Sequence, residues 1–148
     1  MKITEKLLRV MKACAHIGKD AVNDEVGYPY VSAAKINDAV NRALTDNGIA
    51  TTAESKIIDI RTIDKNILAT VEVEITLYDG EETLKIKGVG SGIDSFDKSV
   101  AKAQTMAVKY AWKNTLLIAD SSDDPDAVSG KTNYSNSAKS ANKIAVPF

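Results

Sequence analysis

Apolar residues recur at helical spacing from the start of the chain, where Ile3, Leu7, Val10, Met11 and Cys14 share one face and Gly18 offers a left-handed stop. This reads as an amphipathic helix. Residues 19–31 carry no period, and Gly27, Pro29 and the tyrosines Tyr28 and Tyr30 mark a loop. Ser32 is placed to cap a second helix with Ile36, Ala39, Val40, Ala43 and Leu44 on its apolar face, closed by Asn47-Gly48.

The pattern then becomes that of strands. Ile49–Ile63, Asn66–Tyr78 and Glu82–Val89 are rich in β-branched residues, and in the second of them Val71, Val73, Ile75 and Leu77 alternate with Thr70, Glu72, Glu74 and Thr76. Asp79-Gly80 signals a two-residue hairpin. Pairing Tyr78 with Glu81 sets Ile75 opposite Leu84, Val73 opposite Ile86, Glu74 opposite Lys85 and Glu72 opposite Lys87. The glycines of "GVGSG" then read as a flexible exit from the last strand. A third helix is predicted from near Ser95 to about Leu117, followed by a polar, periodless stretch. The expected fold is α+β: N-terminal helices, a three-stranded antiparallel meander with a long helix packed on it, and a flexible C-terminal tail. The expected domain is residues 1–120, with 121–148 as tail.

Composition limits the chemistry. The apolar share of 44% and the charged share of 26% are those of a globular domain. No apolar run approaches the roughly 20 residues that span a bilayer, and the leading "MKITEKLLRVMK" is charged where a signal peptide is apolar. A cytoplasmic location without membrane contact is expected. Cys14 is the only cysteine and His16 the only histidine, which rules out an internal disulfide and a cysteine-based zinc site. Cysteine–histidine or Ser-His-Asp chemistry would have to run through His16, inside the first helix. The chain does not read as an enzyme.

Charge is unevenly spread behind a net value of −1. Residues 1–82 hold 10 Lys/Arg and 14 Asp/Glu, residues 83–113 hold 6 and 2, and residues 114–148 hold 3 and 4. The basic block falls largely on the third helix. At helical pitch, Lys98, Lys102, Lys109 and Lys113 fall within a sector of about 60°, flanked by Thr105 and Trp112. Phe96, Val100, Ala103, Ala107, Tyr110, Ala111 and Ile118 lie roughly opposite. Two readings stand: a solvated helix face, or a track for the phosphates of a nucleic-acid strand. Lysine point charges with few arginines suit contacts that ignore sequence. On this reading Lys98, Lys102, Thr105, Lys109 and Lys113 contact the backbone, Lys85, Lys87 and Arg61 add to it from the hairpin side, and Trp112, Tyr28 and Tyr30 stack on bases. Each has a plainer alternative: Lys85 and Lys87 paired on a solvated strand face, the aromatics packed inside.

The segment "GIDSFDKS" fits the phosphate-loop pattern G-x-x-x-x-G-K-S/T except that Asp97 replaces the second glycine. A carboxylate there repels the oxygens such a loop cradles. Near a helix N-terminus the same charge complements the dipole, so a nucleotide-dependent enzyme is disfavoured.

Taken together, "ITEKLLRVM", "YPYVSAAKINDAVNRALTDNGI", "LYDGEETLKIKGVGSG" and above all "DKSVAKAQTMAVKYAWKNTLLIADSSDDPDA" resemble the Erf (essential recombination function) family of phage single-strand DNA annealing proteins. The likeness runs from about Met1 to Ala127. Thr105, Lys109 and Tyr110 stand at the family's T-x-x-x-K/R-Y pattern, and Asp123, Asp124 and Asp126 at its aspartate cluster. The resemblance implies a β-β-β-α annealing core, ring or helical homo-oligomers, and annealing of single-stranded DNA through a duplex intermediate without nucleotide hydrolysis or a bound cofactor. It also implies a phage protein acting in the bacterial cytoplasm, with a host single-strand-binding protein or a phage exonuclease as candidate partners. The aspartates have two readings, a divalent-cation dependence of annealing or a solvated turn. The ending Val146-Pro147-Phe148 is similar to the tip of bacterial single-strand-binding proteins, although Lys143 stands where acids are expected. The competing reading is an oligomeric interaction module of the same fold without annealing activity.

Overall fold

The computed structural model describes residues 1–22, 27 and 29–119. Its elements are α1 (Ile3–Ala13), β1 (Ala21–Val22), β2 (Pro29–Tyr30), α2 (Ala33–Asp46), β3 (Ala50–Ile63), β4 (Asn66–Tyr78), β5 (Thr83–Asp94) and α3 (Ser99–Leu116). The α+β expectation holds, with β3-β4-β5 forming an antiparallel meander against α3.

The chain divides into two compact units. One comprises Met1–Ile17 and Ala33–Ile118 and holds the meander and all three long helices. The other comprises Gly18–Ser32 and Ala119–Phe148. Its described part contains the short hairpin β1-β2, where a plain loop was expected; Ala21 pairs with Tyr30 and Val22 with Pro29. Asp20 braces this hairpin by accepting from both the amide and the hydroxyl of Ser32 at 2.7 and 2.6 Å.

In the larger unit, strand alternation decides what is inside. Val71, Val73 and Leu77 of β4 are at most 1% exposed, each contributing about 1.5–3 kcal/mol by burial. The intervening Thr70, Glu72, Glu74 and Thr76 line the opposite, open face. α1 buries Ile3, Val10 and Cys14, and α2 buries Ile36, Val40, Ala43 and Leu44, as their spacing requires. Burial also pushes the Cys14 thiol pKa up.

The β4-β5 register differs from the expected one by two residues. Tyr78 pairs with Thr83, Leu77 with Leu84, Ile75 with Ile86 and Glu74 with Lys87. The cause is Asp79, whose carboxylate accepts the amides of Glu81 and Glu82 at 2.9 and 2.7 Å, holding a four-residue connection open. An even shift leaves every side chain on its expected face. The anticipated ion pairs survive as diagonals: Lys85 Nζ lies 3.5 Å from Glu74 and Lys87 Nζ 3.8 Å from Glu72.

β5 also runs on to Asp94, five residues past its expected end. The glycines are therefore not a flexible exit. Gly88, Gly90 and Gly92 are buried on the helix side of the strand, facing Ala103, Ala107 and Ala111 of α3. A Cβ on Gly92 would stand 2.6 Å from the Ala103 nitrogen, so the missing side chains let helix and strand backbones meet.

Candidate nucleic-acid interface

The glycine–alanine contact fixes the roll of α3 and hence where its lysines go. With Ala103, Ala107 and Ala111 against β5, the first turn directs Lys102 back over the end of that strand. Its Nζ lies 2.8 Å from Asp94 Oδ2 and donates to the Ile93 carbonyl at 3.4 Å. The other Asp94 oxygen accepts the Phe96 amide at 2.9 Å. The Lys102 hydrogen bond above all, then the Phe96 amide, holds the Asp94 carboxyl below its ordinary pKa, with Lys98 adding a weaker pull. Lys98 is exposed and immediately precedes α3, and Thr105 is exposed two turns on, its hydroxyl donating to the Ala101 carbonyl at 3.1 Å. Lys98, Lys102 and Thr105 thus make one accessible cationic corner, tempered by the Asp94 carboxylate and by exposed Asp97 beside Lys98.

The remaining lysines of the helix lie elsewhere than a solvated stripe. Lys109 and Lys113 are only 5% and 3% exposed, and both are engaged in polar or electrostatic interactions. The Lys113 ammonium lies 5.9 Å from the centroid of the Tyr110 ring. The physical reason is that the second half of α3 is buried on several sides at once. Trp112 and Leu116, on the same side as those lysines, are 5% and 3% exposed. A sector drawn on a helical projection shows which residues share a face; it does not show that the face meets water. Phe96, expected on the packed side, lies outside the helix and is 77% exposed.

Trp112 lies in the interior, where its indole lines a cleft of about 230 Å³ with Val40, Leu44, Ala53, Ile75 and Val108. It is not displayed as a stacking platform. Tyr30 is half-buried in β2, within the smaller unit, and Tyr28 lies outside the described residues. Arg61 is exposed on β3 with its Nε donating to Asp59 at 2.7 Å. Lys85 and Lys87 are exposed on the open face of the sheet, each within ion-pair distance of Glu72 or Glu74. The hairpin cations therefore stand apart from the α3 corner, across the sheet. Asp123, Asp124, Asp126 and the Val146-Pro147-Phe148 tip lie outside the described residues, and among the described residues no cluster of acids, histidine and cysteine has the makings of a metal site.

Sequence reasoning missed Asp94 as the partner of Lys102. It also missed the interlocking of glycines two apart with alanines four apart, a spacing visible in "GVGSG" and "AKAQTMAVKYA". Among the described residues no helix is long and apolar enough to cross a membrane.

The family model described as the ERF superfamily matches residues 3–146, nearly the whole length, and the chain belongs to that family. No curated protein matches it significantly.

Proposed function

We propose that this member of the ERF superfamily binds single-stranded DNA through its phosphates and anneals complementary strands, as an oligomer and without nucleotide hydrolysis. The match over residues 3–146 carries the reading, since family membership supports a role in phage recombination and annealing. The basic block of residues 83–113 agrees with it.

Annealing needs no catalytic acid or base. It needs one strand held by its backbone with base edges free, so that pairing supplies both driving force and sequence reading. On this chain Lys98, Lys102 and Thr105 are the first contacts. Lys102 exchanges Asp94 for a phosphate, an easy trade because exposed ion pairs are weak and screened. Lys109 and Lys113 reach DNA only if their present partners release them, and Arg61, Lys85 and Lys87 serve a strand that passes the open face. Host single-strand-binding protein and phage exonuclease remain candidate partners, in the bacterial cytoplasm.

The test is binding of single-stranded oligonucleotides of several sequences across a salt series. Each phosphate contact contributes about 0.7 to the log–log salt slope for single strands, so Lys98→Ala with Lys102→Ala should flatten the slope by about 1.4 and weaken all sequences alike. An unchanged slope would place the strand elsewhere. The engagement of Lys85, Lys87, Lys102, Lys109 and Lys113 within the chain favours a second reading, an interaction module without annealing activity. Wild-type protein that shows no binding at low salt would favour this second reading over the first.

A further inference from the structure

Among the described residues, exposed large apolar side chains gather at the two edges of the sheet. β3 exposes Ile57, Ile58, Ile60 and Ile63 at 45–54%. On β5 and its exit, Val89 and Ile93 are 47% exposed on the open face, where they pair with Glu72 and Leu68, and Phe96 is 77% exposed. β4 between them exposes no large aliphatic side chain to this degree. On β3 the exposure of Ile57 and Ile60 follows from α3, which packs on β5 and β4 and stops short of β3. Ile57 and Ile60 pair with Val71 and Ala69, so they lie on the helix side of the sheet, yet half their surface meets solvent.

We propose that the β3 edge of one copy of this chain docks head-to-tail on the β5 edge of a second copy, extending the three-stranded sheet. β3 is an edge strand of 14 residues, roughly 45 Å long at strand rise. A long apolar edge with unpaired backbone groups invites another strand. The two edges belong to different strands, so the contact is heterologous: repetition closes a ring or winds a helix, whereas a two-fold dimer would need one edge facing itself.

Charge favours the same arrangement. On the open face Glu54 stands directly opposite Glu74, a like-charged pair that costs stability, and Glu54 has no ion pair within 4 Å among the described residues. The same row across the sheet continues from Glu74 to Lys87 on β5. A neighbour added without offset along the strands sets its Glu54 beside that Lys87, which is 60% exposed and held by its own acids only at 3.8 and 3.9 Å.

The proposal deepens the oligomer in the reading above and is tested apart from DNA. Particle mass of the full chain is measured by light scattering without DNA for wild type, Glu54→Lys, Lys87→Glu and an equimolar mixture of the two variants, with circular dichroism melts of each. The wild type should assemble, and each variant alone should lose the assembly, Glu54→Lys with its melt kept and Lys87→Glu with a lower melt because its new carboxylate faces Glu74; the mixture should recover the assembly, because every interface in an alternating array again joins opposite charges. Rescue on mixing cannot come from misfolded chains. Variants that keep wild-type size, a mixture no larger than its components, or a monomeric wild type would overturn the proposal. Strand binding by a protein whose variants assemble normally would sink the edge contact and leave the DNA reading intact; the reverse pattern would keep the edge contact alone.

Discussion

Replacing Gly90 by alanine adds one methyl at the centre of the contact between α3 and β5. Intrinsic preference alone favours the change, since glycine inside a strand is worse than alanine by about 0.5–1 kcal/mol. Were the glycines only a flexible exit, Gly90→Ala would therefore stabilise. In the structure the new Cβ would stand 2.7 Å from the Met106 carbonyl carbon and 2.8 Å from the Ala103 oxygen, and closer still to the Ala107 nitrogen. Unstrained contacts need about 3.5–4.0 Å, so the helix must retreat by about 1 Å, and a gap of that size forfeits a quarter to a half of the attraction along the row. The colliding atoms are hydrogen-bonded backbone, which cannot rotate aside. Overpacking of this kind costs about 1–3 kcal/mol, and a rigid backbone target puts it near the top of that range, leaving a net loss of about 2 kcal/mol. Urea unfolding followed by circular dichroism reads it as a midpoint lowered by about 1 M at unchanged slope. Ser91→Ala, one residue along on the open face, loses only an exposed hydrogen bond to Thr70 and serves as the control. A Gly90→Ala midpoint equal to or above wild type would refute the close-contact account.

Two further outcomes follow from the ends of the elements. Leu117 closes α3 at φ 52° with its side chain 76% exposed, so Leu117→Gly relieves left-handed strain at little cost in burial and should stabilise by about 0.5–1 kcal/mol, read as a raised urea midpoint. The Asp79 carboxyl is held below its ordinary pKa, chiefly by the Glu82 and Glu81 amides and then by Lys6 at 3.5 Å. A lowered folded pKa contributes stability that is full above the unfolded value of about 3.9 and is lost as pH falls through the folded one. Asp79→Asn should therefore be less stable than wild type at neutral pH, with the gap closing below about pH 4; a gap constant with pH would show that the charge does not matter.

The elements were legible wherever one physical signal decided them. Alternation in Thr70–Leu77 gave β4 its two faces, and helical spacing gave α1 and α2 their buried sides. The register was not legible from Asp79-Gly80, because two-residue and four-residue connections differ by a shift of two, which changes the partners but leaves every side chain on the same face with apolar still opposite apolar. Local sequence cannot separate them; the decision rests on Asp79 accepting two amides within the turn. The end of β5 was missed for the opposite reason. Glycine lacks strand propensity, and only the helix that fills the space above Gly88, Gly90 and Gly92 makes a strand of that stretch.

The same long-range contact explains why the lysines were only half legible. Periodicity sorts Lys98, Lys102, Lys109 and Lys113 into one sector, but the roll of the helix is set by which residues fit the glycine row. That fit is made by Ala103, Ala107 and Ala111, and it turns Lys102 toward Asp94 and leaves Lys98 and Thr105 in solvent. Farther along, Trp112 and Leu116 bury the side that carries Lys109 and Lys113. A lysine count therefore overstates the charge that a DNA strand first meets, and the accessible corner, with Asp94 inside it, is closer to neutral than the sequence implied. On the proposed reading, a corner so tempered would bind one strand weakly when single. Copies repeated along a continuous sheet would add such corners in series, and weak contacts in series hold a strand while allowing its bases to re-register. The edge contact between Glu54 and Lys87 and the phosphate contacts at Lys98 and Lys102 would then be two requirements of one activity, separable by variants because they lie on different faces of the sheet.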